Sequence, residues 1–268
     1  FGLCGDTSLP FYDALATLDH DMEHILSRDE RSAGYMADVY ARLTGKVGVC
    51  EGPSGGWATY ILPALAEANE SSISVLGITT DISVTSRGRY ALTELDQKSL
   101  FKPVTKWNAV IDRSDQVPGT VRAAFRAMTT GRPGAAHIGF PFDVQKGAVG
   151  ESDMHADGAL GEFPAYPVAP HLGSVAEAVR ALSDASSPLI ICGGGPVIAG
   201  AQAEIAALAT RLDAPVATTI SGQGIIAETH PLALGVVGSN GGVPATRAVV
   251  QEADVIIFIG CRAGSVTT

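Results

Sequence analysis

The sequence has little positive charge and few aromatic residues. Its 268 residues contain 18 Lys and Arg against 28 Asp and Glu, which gives a net charge of −10, and aromatic residues make up 6%. No stretch gathers the cations into a basic patch. Because nucleic-acid binding needs clustered cations that neutralise phosphates, no nucleic-acid partner is expected. The acidic balance is typical of a cytoplasmic enzyme, which is the localisation that we expect.

Other signals are also missing. The four cysteines, Cys4, Cys50, Cys192 and Cys261, show no CxxC spacing, so neither a zinc site nor a disulfide framework is expected. No apolar run reaches the ~20 residues that a membrane-spanning helix needs, so no membrane partner is expected. The histidines show no metal-ligand spacing, and we assign no metal ligand in this chain. Neither a nucleophile-elbow motif nor a P-loop motif is present.

Apolar and amphipathic stretches alternate along the chain. Short apolar runs bounded by Gly, Pro or polar residues predict strands at 47–50, 74–78, 135–140, 189–192, 215–220 and 255–259. Amphipathic stretches predict helices at 31–43, 57–69, 115–128, 175–182, 201–212 and 245–252. Continuous apolar strands are typical of parallel sheets covered on both faces. The pattern predicts an α/β protein with two doubly wound parallel-sheet domains.

The segment 147–172 differs from its surroundings. It contains prolines and several acidic residues but no Lys or Arg, and its apolar residues are not periodic. We interpret it as a linker between an N-terminal domain at 1–146 and a C-terminal domain at 173–268.

Two neighbouring motifs stand at predicted strand ends. Glu30 lies where a short strand at 24–26 gives way to a helix. A carboxylate there is stabilised by the helix N-terminus, so a structural role is the first interpretation. The strand at 47–50 runs into the turn E-G-P-S-G-G-W-A-T-Y. A glycine-rich turn lets a ligand approach backbone N–H groups, but it is also consistent with a tight connection.

Taken in order, the motifs resemble the acetolactate synthase family of thiamine-diphosphate-dependent enzymes. The run E-R-S-A-G-Y-M-A-D-V-Y-A-R-L-T-G-K-V-G-V-C, followed by P-S-G-G-W-A-T-Y, is similar to the pattern E-x-x-A-x-x-x-A-x-x-Y-A-R-x-x-G-x-x-G-V and S-G-P-G-x-x-N of the family's pyrimidine domain. The opening F-G-L-C-G resembles the family's F-G-x-P-G loop. In the second half, C-G-G-G and D-V-I-I-F-I-G, followed by Arg262, resemble the central domain.

The resemblance implies a catalytic role for Glu30. It would hydrogen-bond N1′ of the cofactor's aminopyrimidine and promote the 4′-imino tautomer, whose nitrogen takes the thiazolium C2 proton. The implied reaction is decarboxylation or carboligation of a 2-oxo acid. The residues implied on the pyrimidine side of thiamine diphosphate are Leu3, Cys4, Gly5, Ser54, Gly55, Gly56, Trp57 and Tyr60.

Departures from the family pattern argue against a biosynthetic acetolactate synthase in the strict sense. The turn reads G-W-A-T-Y where the family has P-G-x-x-N, and Cys4 replaces a proline. The family's F-Q-E is L-T-E here, and Phe142 replaces the lysine of P-K-D. The run L-T-E-L-D-Q also resembles the E-E-x-D-Q run of oxalyl-CoA decarboxylases. A decarboxylase of that type is therefore an alternative.

The central domain raises the question of a second cofactor, because it holds FAD in acetolactate synthase and ADP in oxalyl-CoA decarboxylase. Gly193, Gly194 and Gly195 follow a strand and suit a diphosphate approached by backbone amides. Arg262 could pair with that diphosphate. The family's second arginine has no counterpart in the following A-G-S-V. Its absence favours a bare turn without FAD, with Arg262 as a surface charge.

Family members carry a third domain whose G-D-G…N motif binds Mg²⁺ and the cofactor's diphosphate, and this motif does not occur here. The resemblance therefore implies Mg²⁺ ligands outside this chain, in a longer protein or in a second chain that supplies the diphosphate-binding domain. Because the family's cofactor sits between subunits, a homodimer or homotetramer is implied. The competing hypothesis is a non-catalytic nucleotide-binding fragment.

Overall fold

The computed structural model describes residues 1–239, 241 and 244–264. The chain divides into two compact units, Phe1–Tyr166 and Pro167–Thr268. Each unit contains one sheet of four parallel strands with helices. The α/β fold class with two parallel-sheet domains, predicted from the sequence, is confirmed.

The sheet of the first unit has the strand order β1-β2-β4-β3. Its strands are β1 (Gly48–Gly52), β2 (Val75–Asp81), β3 (Trp107–Val110) and β4 (Ala136–Pro141). The helices are α1 (Leu9–Thr17), α2 (Glu30–Thr44), α3 (Leu62–Glu70), α4 (Gln97–Phe101) and α5 (Val117–Thr129).

Helix α2 brings Glu30 to the end of β1. The helix begins at Glu30 because the Asp29 carboxylate accepts two backbone N–H groups of the first turn, and it ends at Gly45, whose φ of +69° suits a left-handed cap. Small buried residues let the helix approach the strand closely: a Cβ on Gly48 would lie 2.1 Å from the carbonyl oxygen of Ala37. This backbone contact holds the middle of α2 against the start of β1.

Helices cover both faces of this sheet. Leu76 of β2 belongs to a buried cluster with Met128 of α5. A Cβ on the next residue, Gly77, would lie 2.6 Å from Leu65 of α3. Because neighbouring residues of a strand point to opposite faces, α3 and α5 lie on opposite sides of β2.

The helix predicted at 57–69 is divided in the structure. A 3₁₀ helix spans Gly55–Ile61, and α3 follows from Leu62 with Pro63 in its first turn. The 3₁₀ helix begins at a glycine with a φ of +70°. Periodicity alone does not distinguish a 3₁₀ turn from the first turn of an α-helix.

The sheet of the second unit has the strand order β7-β6-β5-β8. Its strands are β5 (Pro188–Cys192), β6 (Val216–Thr218), β7 (Ala233–Val236) and β8 (Val255–Ile259). The helices are α6 (Leu172–Ser183), α7 (Gly194–Ile198), α8 (Gln202–Leu212) and α9 (Pro244–Glu252). No helix within the described residues combines the length and apolar composition needed to cross a membrane.

Two strands were missing from the sequence-based prediction, and both lie at a sheet edge. β3 and β7 each span four residues, all of them only half-buried. In β3, Asn108 interrupts the apolar residues of W-N-A-V, and in β7 the run A-L-G-V is short and contains Gly235, whose φ of +77° is atypical of a strand. The short strand predicted at 24–26 is reduced to a single bridge at Leu26.

Part of the segment interpreted as a linker packs against the first unit. The backbone N–H of Val47 donates to Gly161, and the N–H of Phe163 donates to Gly45, both at 3.0 Å. Leu160 and Phe163 are buried. The boundaries at 146 and 173 stay predictions. In the structure, the compact first unit extends to Tyr166.

Candidate active site

Three segments leave the first sheet at its carboxyl edge, which is formed by the carboxyl ends of its parallel strands. Gly2 forms parallel bridges with both Leu26 and Glu51, so the N-terminal segment, the segment before α2 and β1 all run in one direction. The first loop (residues 3–5), Glu30 and the turn after β1 (residues 53–57) follow directly. Beyond the carboxyl ends of parallel strands is where α/β proteins bind ligands. The sequence-predicted pyrimidine residues are thus placed at one edge of one sheet.

Glu30 is the first residue of α2 and is only 3% exposed. Asp29, not Glu30, caps the helix, so the Glu30 side chain is not needed for that role. Within the described residues, no hydrogen-bond partner is found for its carboxylate. A Cβ on Gly52 would lie 3.6 Å from Cγ of Glu30, which places this side chain beside the end of β1. Glu30 is therefore a nearly buried acid without a partner of its own among the described residues, and its carboxylate oxygens keep a small contact with solvent.

In the turn after β1, hydrogen bonds hold Ser54 in place, whereas the backbone at Gly56 is open. Ser54 donates its hydroxyl to Oγ1 of Thr93 at 2.8 Å, and its backbone N–H donates to Oγ1 of Thr7 at 3.1 Å. Gly55 has a φ of +70°, and a Cβ there would lie 2.9 Å from Thr93. A Cβ on Gly56 would meet no atom within 4 Å, so the backbone is accessible at this residue.

The remaining predicted pyrimidine residues lie around this turn. A Cβ on Gly5 would lie 2.5 Å from Cβ of Pro53, so the first loop touches the turn through its glycine. In that loop Leu3 is half-buried and Cys4 is exposed. Trp57 and Tyr60 are 51% and 44% exposed. Their side chains are therefore largely exposed and are not packed in the interior.

Glu51 is a second buried acid at this edge, which the sequence reading quoted only as part of the turn. It is 3% exposed, and its oxygens accept the hydroxyls of Ser8 at 2.6 Å and Tyr12 at 2.7 Å. The pKa of Glu51 is raised to about 7, chiefly by burial and also by the charge of Glu30, while the hydrogen bonds from Ser8 and Tyr12 act in the opposite direction. A carboxylate inside an apolar strand was the signal that could have revealed it.

A further acid was also missed, at the end of β2. Asp81 lines an open cavity of about 350 Å³ together with Arg87, Gln97 and Asp112, among others. Asp81 is 3% exposed, and its Oδ2 lies 3.6 Å from a guanidinium nitrogen of Arg87, which also pairs with Asp112 at 2.6 Å. Burial raises the pKa of Asp81 to about 6. The resemblance gave no reason to select this residue.

Packing accounts for two of the three glycines at 193–195. A Cβ on Gly193 would lie 2.2 Å from the carbonyl oxygen of Gly260, and a Cβ on Gly195 would lie 2.7 Å from Cα of Gly260. The amides of Gly193 and Gly195 already donate to Ile259 and Gly260. Gly194 packs beside Ser221, and Arg262 is exposed. The geometry favours the bare turn over a diphosphate cradle at these amides.

Comparison with protein families gives two matches in chain order. Residues 1–100 match the N-terminal TPP binding domain of thiamine pyrophosphate enzymes. Residues 175–268 match the central domain of thiamine pyrophosphate enzymes.

Similar curated proteins are acetolactate synthase large subunits. The chain is 41% identical over 264 residues to a probable acetolactate synthase large subunit of Methanocaldococcus jannaschii, covering 98% of the chain and 44% of that protein. It is 36% identical over 264 residues to the large subunit of Corynebacterium glutamicum, covering 98% and 41%. The chain thus spans less than half the length of these relatives. It belongs to the thiamine pyrophosphate enzyme family, of which it carries the N-terminal and central domains.

Proposed function

We propose that this chain forms the pyrimidine-binding and central parts of a thiamine-diphosphate-dependent enzyme of the acetolactate synthase type. The reaction proposed is decarboxylation of a small 2-oxo acid, followed by carboligation. The observation that carries the proposal is Glu30, a residue only 3% exposed whose carboxylate lacks a hydrogen-bond partner within the described residues.

The residues present fit the pyrimidine half of the cofactor. A buried carboxylate without a partner is unfavourable, and a ring nitrogen that shares a proton with it removes that cost. The open backbone at Gly56 leaves room for a flat ring beside the turn. When bound, thiamine diphosphate supplies an electron sink for the electron pair left on the carbonyl carbon after loss of CO₂.

The chain's own residues have distinct roles in this proposal. Glu30 holds a proton at N1′ of the pyrimidine, and the bound ring would cover the small part of its carboxylate that solvent still reaches. The first loop (Leu3, Cys4 and Gly5) and the turn at Ser54 and Gly55 position the ring. Trp57 and Tyr60 border the same turn. We place the Mg²⁺ ligands and the diphosphate contacts outside this chain.

A homodimer or homotetramer is part of the proposal. Helix α2 carries an exposed apolar stripe, spaced three and four residues apart, formed by Tyr35, Met36, Val39, Tyr40 and Leu43. Leu43 alone is 80% exposed. An apolar stripe of this kind favours a subunit contact. Replacing Met36 and Leu43 together by Glu should lower the sedimentation coefficient of the full-length protein, whereas an unchanged value would contradict this contact.

Two alternatives come from the sequence. The run L-T-E-L-D-Q keeps an oxalyl-CoA-type decarboxylase open, and steady-state assays with oxalyl-CoA beside pyruvate distinguish the two substrates. A non-catalytic nucleotide-binding fragment would bind FAD or ADP without thiamine diphosphate. The engaged amides of Gly193 and Gly195 count against that second alternative.

Glu30→Gln in the full-length protein tests the proposed function. We expect kcat for pyruvate, with saturating thiamine diphosphate and Mg²⁺, to fall by about 10²–10⁴-fold, since a proton-transfer group is removed while its shape is retained. Glu67→Gln is the matched control, because Glu67 in α3 is 54% exposed and its carboxylate pairs with Arg42, at the end of α2 opposite to Glu30. Equal turnover by the Glu30 variant and the wild type would refute the role of Glu30.

A further inference from the structure

Glu51 occupies a position where an apolar side chain would be the simpler choice. It lies in β1 between residues that are themselves buried, and its parallel partner in β2 is Ile78. Keeping an acid in such a place costs folding free energy unless the acid is fully paired. Perturbed buried acids of this kind are concentrated at functional sites.

The Glu51 carboxylate is the end of a chain of hydroxyls that reaches the turn. Ser8, which donates to Glu51, lies 3.2 Å from Oγ1 of Thr80, and Thr80 lies 2.8 Å from Oγ1 of Thr7. Thr7 in turn accepts the backbone N–H of Ser54. Four hydrogen bonds thus connect the acid with the amide that starts the turn beside Gly55 and Gly56.

Charged and titratable groups surround Glu51 from each neighbouring element. Glu30 of α2 raises the pKa of Glu51. Tyr12 of α1 has a raised pKa because of burial and of Glu51 itself. Cys4 in the first loop and Cys50 in β1 have raised thiol pKa values, chiefly through burial, with Glu51 contributing. Among these neighbours, Glu30 is the acid that the proposed cofactor contacts.

We propose that Glu51 is a positioning residue of the pyrimidine site. Its carboxylate fixes the first loop and the turn through Ser8 and Tyr12, and it gives up a proton when thiamine diphosphate engages Glu30. This inference rests on the proposed function. It adds a second acid, which acts through Glu30 and the hydroxyl chain and does not touch the cofactor.

The proposed roles of Glu30 and Glu51 together predict that Glu51 releases a proton when the cofactor binds. A ring that shares a proton with Glu30 offsets the charge that disfavours ionised Glu51, so the pKa of Glu51 falls on binding. Glu51 is nearly inaccessible already, so the bound ring adds little further desolvation. A fall of about one unit from about 7 would release about 0.4 proton per site at pH 7.

Calorimetric titration of the full-length protein with thiamine diphosphate and Mg²⁺ tests the inference. Titrations at pH 7 in two buffers of different ionisation enthalpy give the number of protons released. We expect the wild type to release about 0.4 proton more than Glu51→Gln. The difference should vanish at pH 9, where Glu51 is already ionised in the free protein. Glu67→Gln should match the wild type at both pH values.

A second variant covers the case in which Glu51→Gln does not fold. Tyr12→Phe keeps the carboxyl group but removes a hydrogen bond that lowers the pKa of Glu51, so proton release at pH 7.5 should exceed that of the wild type. Equal proton release by wild type and variants, all binding the cofactor, would overturn the role of Glu51 alone. A wild type that does not bind thiamine diphosphate would overturn the proposed function as well.

Discussion

Ser54 and Thr93 join two loops at the edge of the first sheet, where the Ser54 hydroxyl donates to Oγ1 of Thr93 at 2.8 Å. The same pair is in close contact through Gly55, whose left-handed backbone lies against the Thr93 side chain. The threonine stands in the L-T-E run where the family pattern has F-Q-E. This residue therefore supports the turn through a contact separate from that of the first loop, which touches Pro53.

Replacing Thr93 by Val should weaken cofactor binding without affecting the later steps. Valine keeps the shape of threonine but removes the hydroxyl that accepts the hydrogen bond from Ser54. The turn must then be ordered when the cofactor binds, which costs about 1 kcal/mol and raises Kd about fivefold. Calorimetry of the full-length protein measures this change. Thr105→Val is the control, since that hydroxyl bonds within its own segment to Phe101. Unchanged Kd for the Thr93 variant would contradict the role of the pair.

Gly48→Ala should destabilise the first unit strongly. A Cβ there would lie 2.1 Å from the carbonyl oxygen of Ala37, so α2 and β1 would have to separate. We expect a loss of more than about 2 kcal/mol in unfolding free energy, measured by urea denaturation. Gly119→Ala is the counterpart, because the exposed Gly119 in α5 has open space around it. This second change should stabilise by about 0.5–1 kcal/mol.

Asp81 should make stability depend on pH. Its folded-state pKa of about 6 lies above its usual value, so the folded protein binds the extra proton. The stabilisation is present below about pH 4 and is lost as the pH rises through about 6, by roughly 3 kcal/mol. The unfolding free energy of the wild type should therefore fall relative to Asp81→Asn between pH 4.5 and 7.5.

The control for this titration is Asp115→Asn. The Arg113 guanidinium holds the pKa of the exposed Asp115 below its usual value, so any effect has the opposite sign and should be small. If the difference in unfolding free energy between the wild type and Asp81→Asn were the same at pH 4.5 and at pH 7.5, Asp81 would not titrate as expected.

The boundary of the first unit can be tested with fragments. A fragment of residues 1–166 should be more stable than one of residues 1–146, because only the longer one buries Leu160 and Phe163 and forms the hydrogen bonds at Gly45 and Val47. Each buried side chain contributes about 1.5–3 kcal/mol. Equal urea midpoints would support the boundary predicted at 146.

The central strands and α2 could be predicted because burial on both faces leaves a direct pattern in the sequence. β3 and β7 could not, since each spans only four half-buried residues and the pattern is weakened by Asn108 in β3 and by Gly235 in β7. The position of Glu30 at a helix start was readable from the chain, while its lack of a partner required coordinates. The site role of Glu51 was hidden because hydrogen bonds to Ser8 and Tyr12 join residues far apart in sequence.

Glycine patterns were the least decisive part of the sequence. G-G-G at 193–195 suggested a phosphate loop, yet close approach to Gly260 already explains two of the three glycines. In contrast, a Cβ on Gly56 would meet no atom within 4 Å. A glycine that packing requires and one that leaves space are identical in sequence, and only the surrounding backbone distinguishes them.

The parallel bridges of Gly2 also bear on the order of folding. They join the beginning of the chain to Leu26 and to Glu51, so the edge that carries the candidate site forms only after two long loops have closed. Contacts of high sequence separation form slowly, because the entropy of closure is lost before the contact is gained. Refolding experiments should therefore recover helical circular dichroism before ligand-binding competence, and a nascent chain would acquire its pocket after its helices.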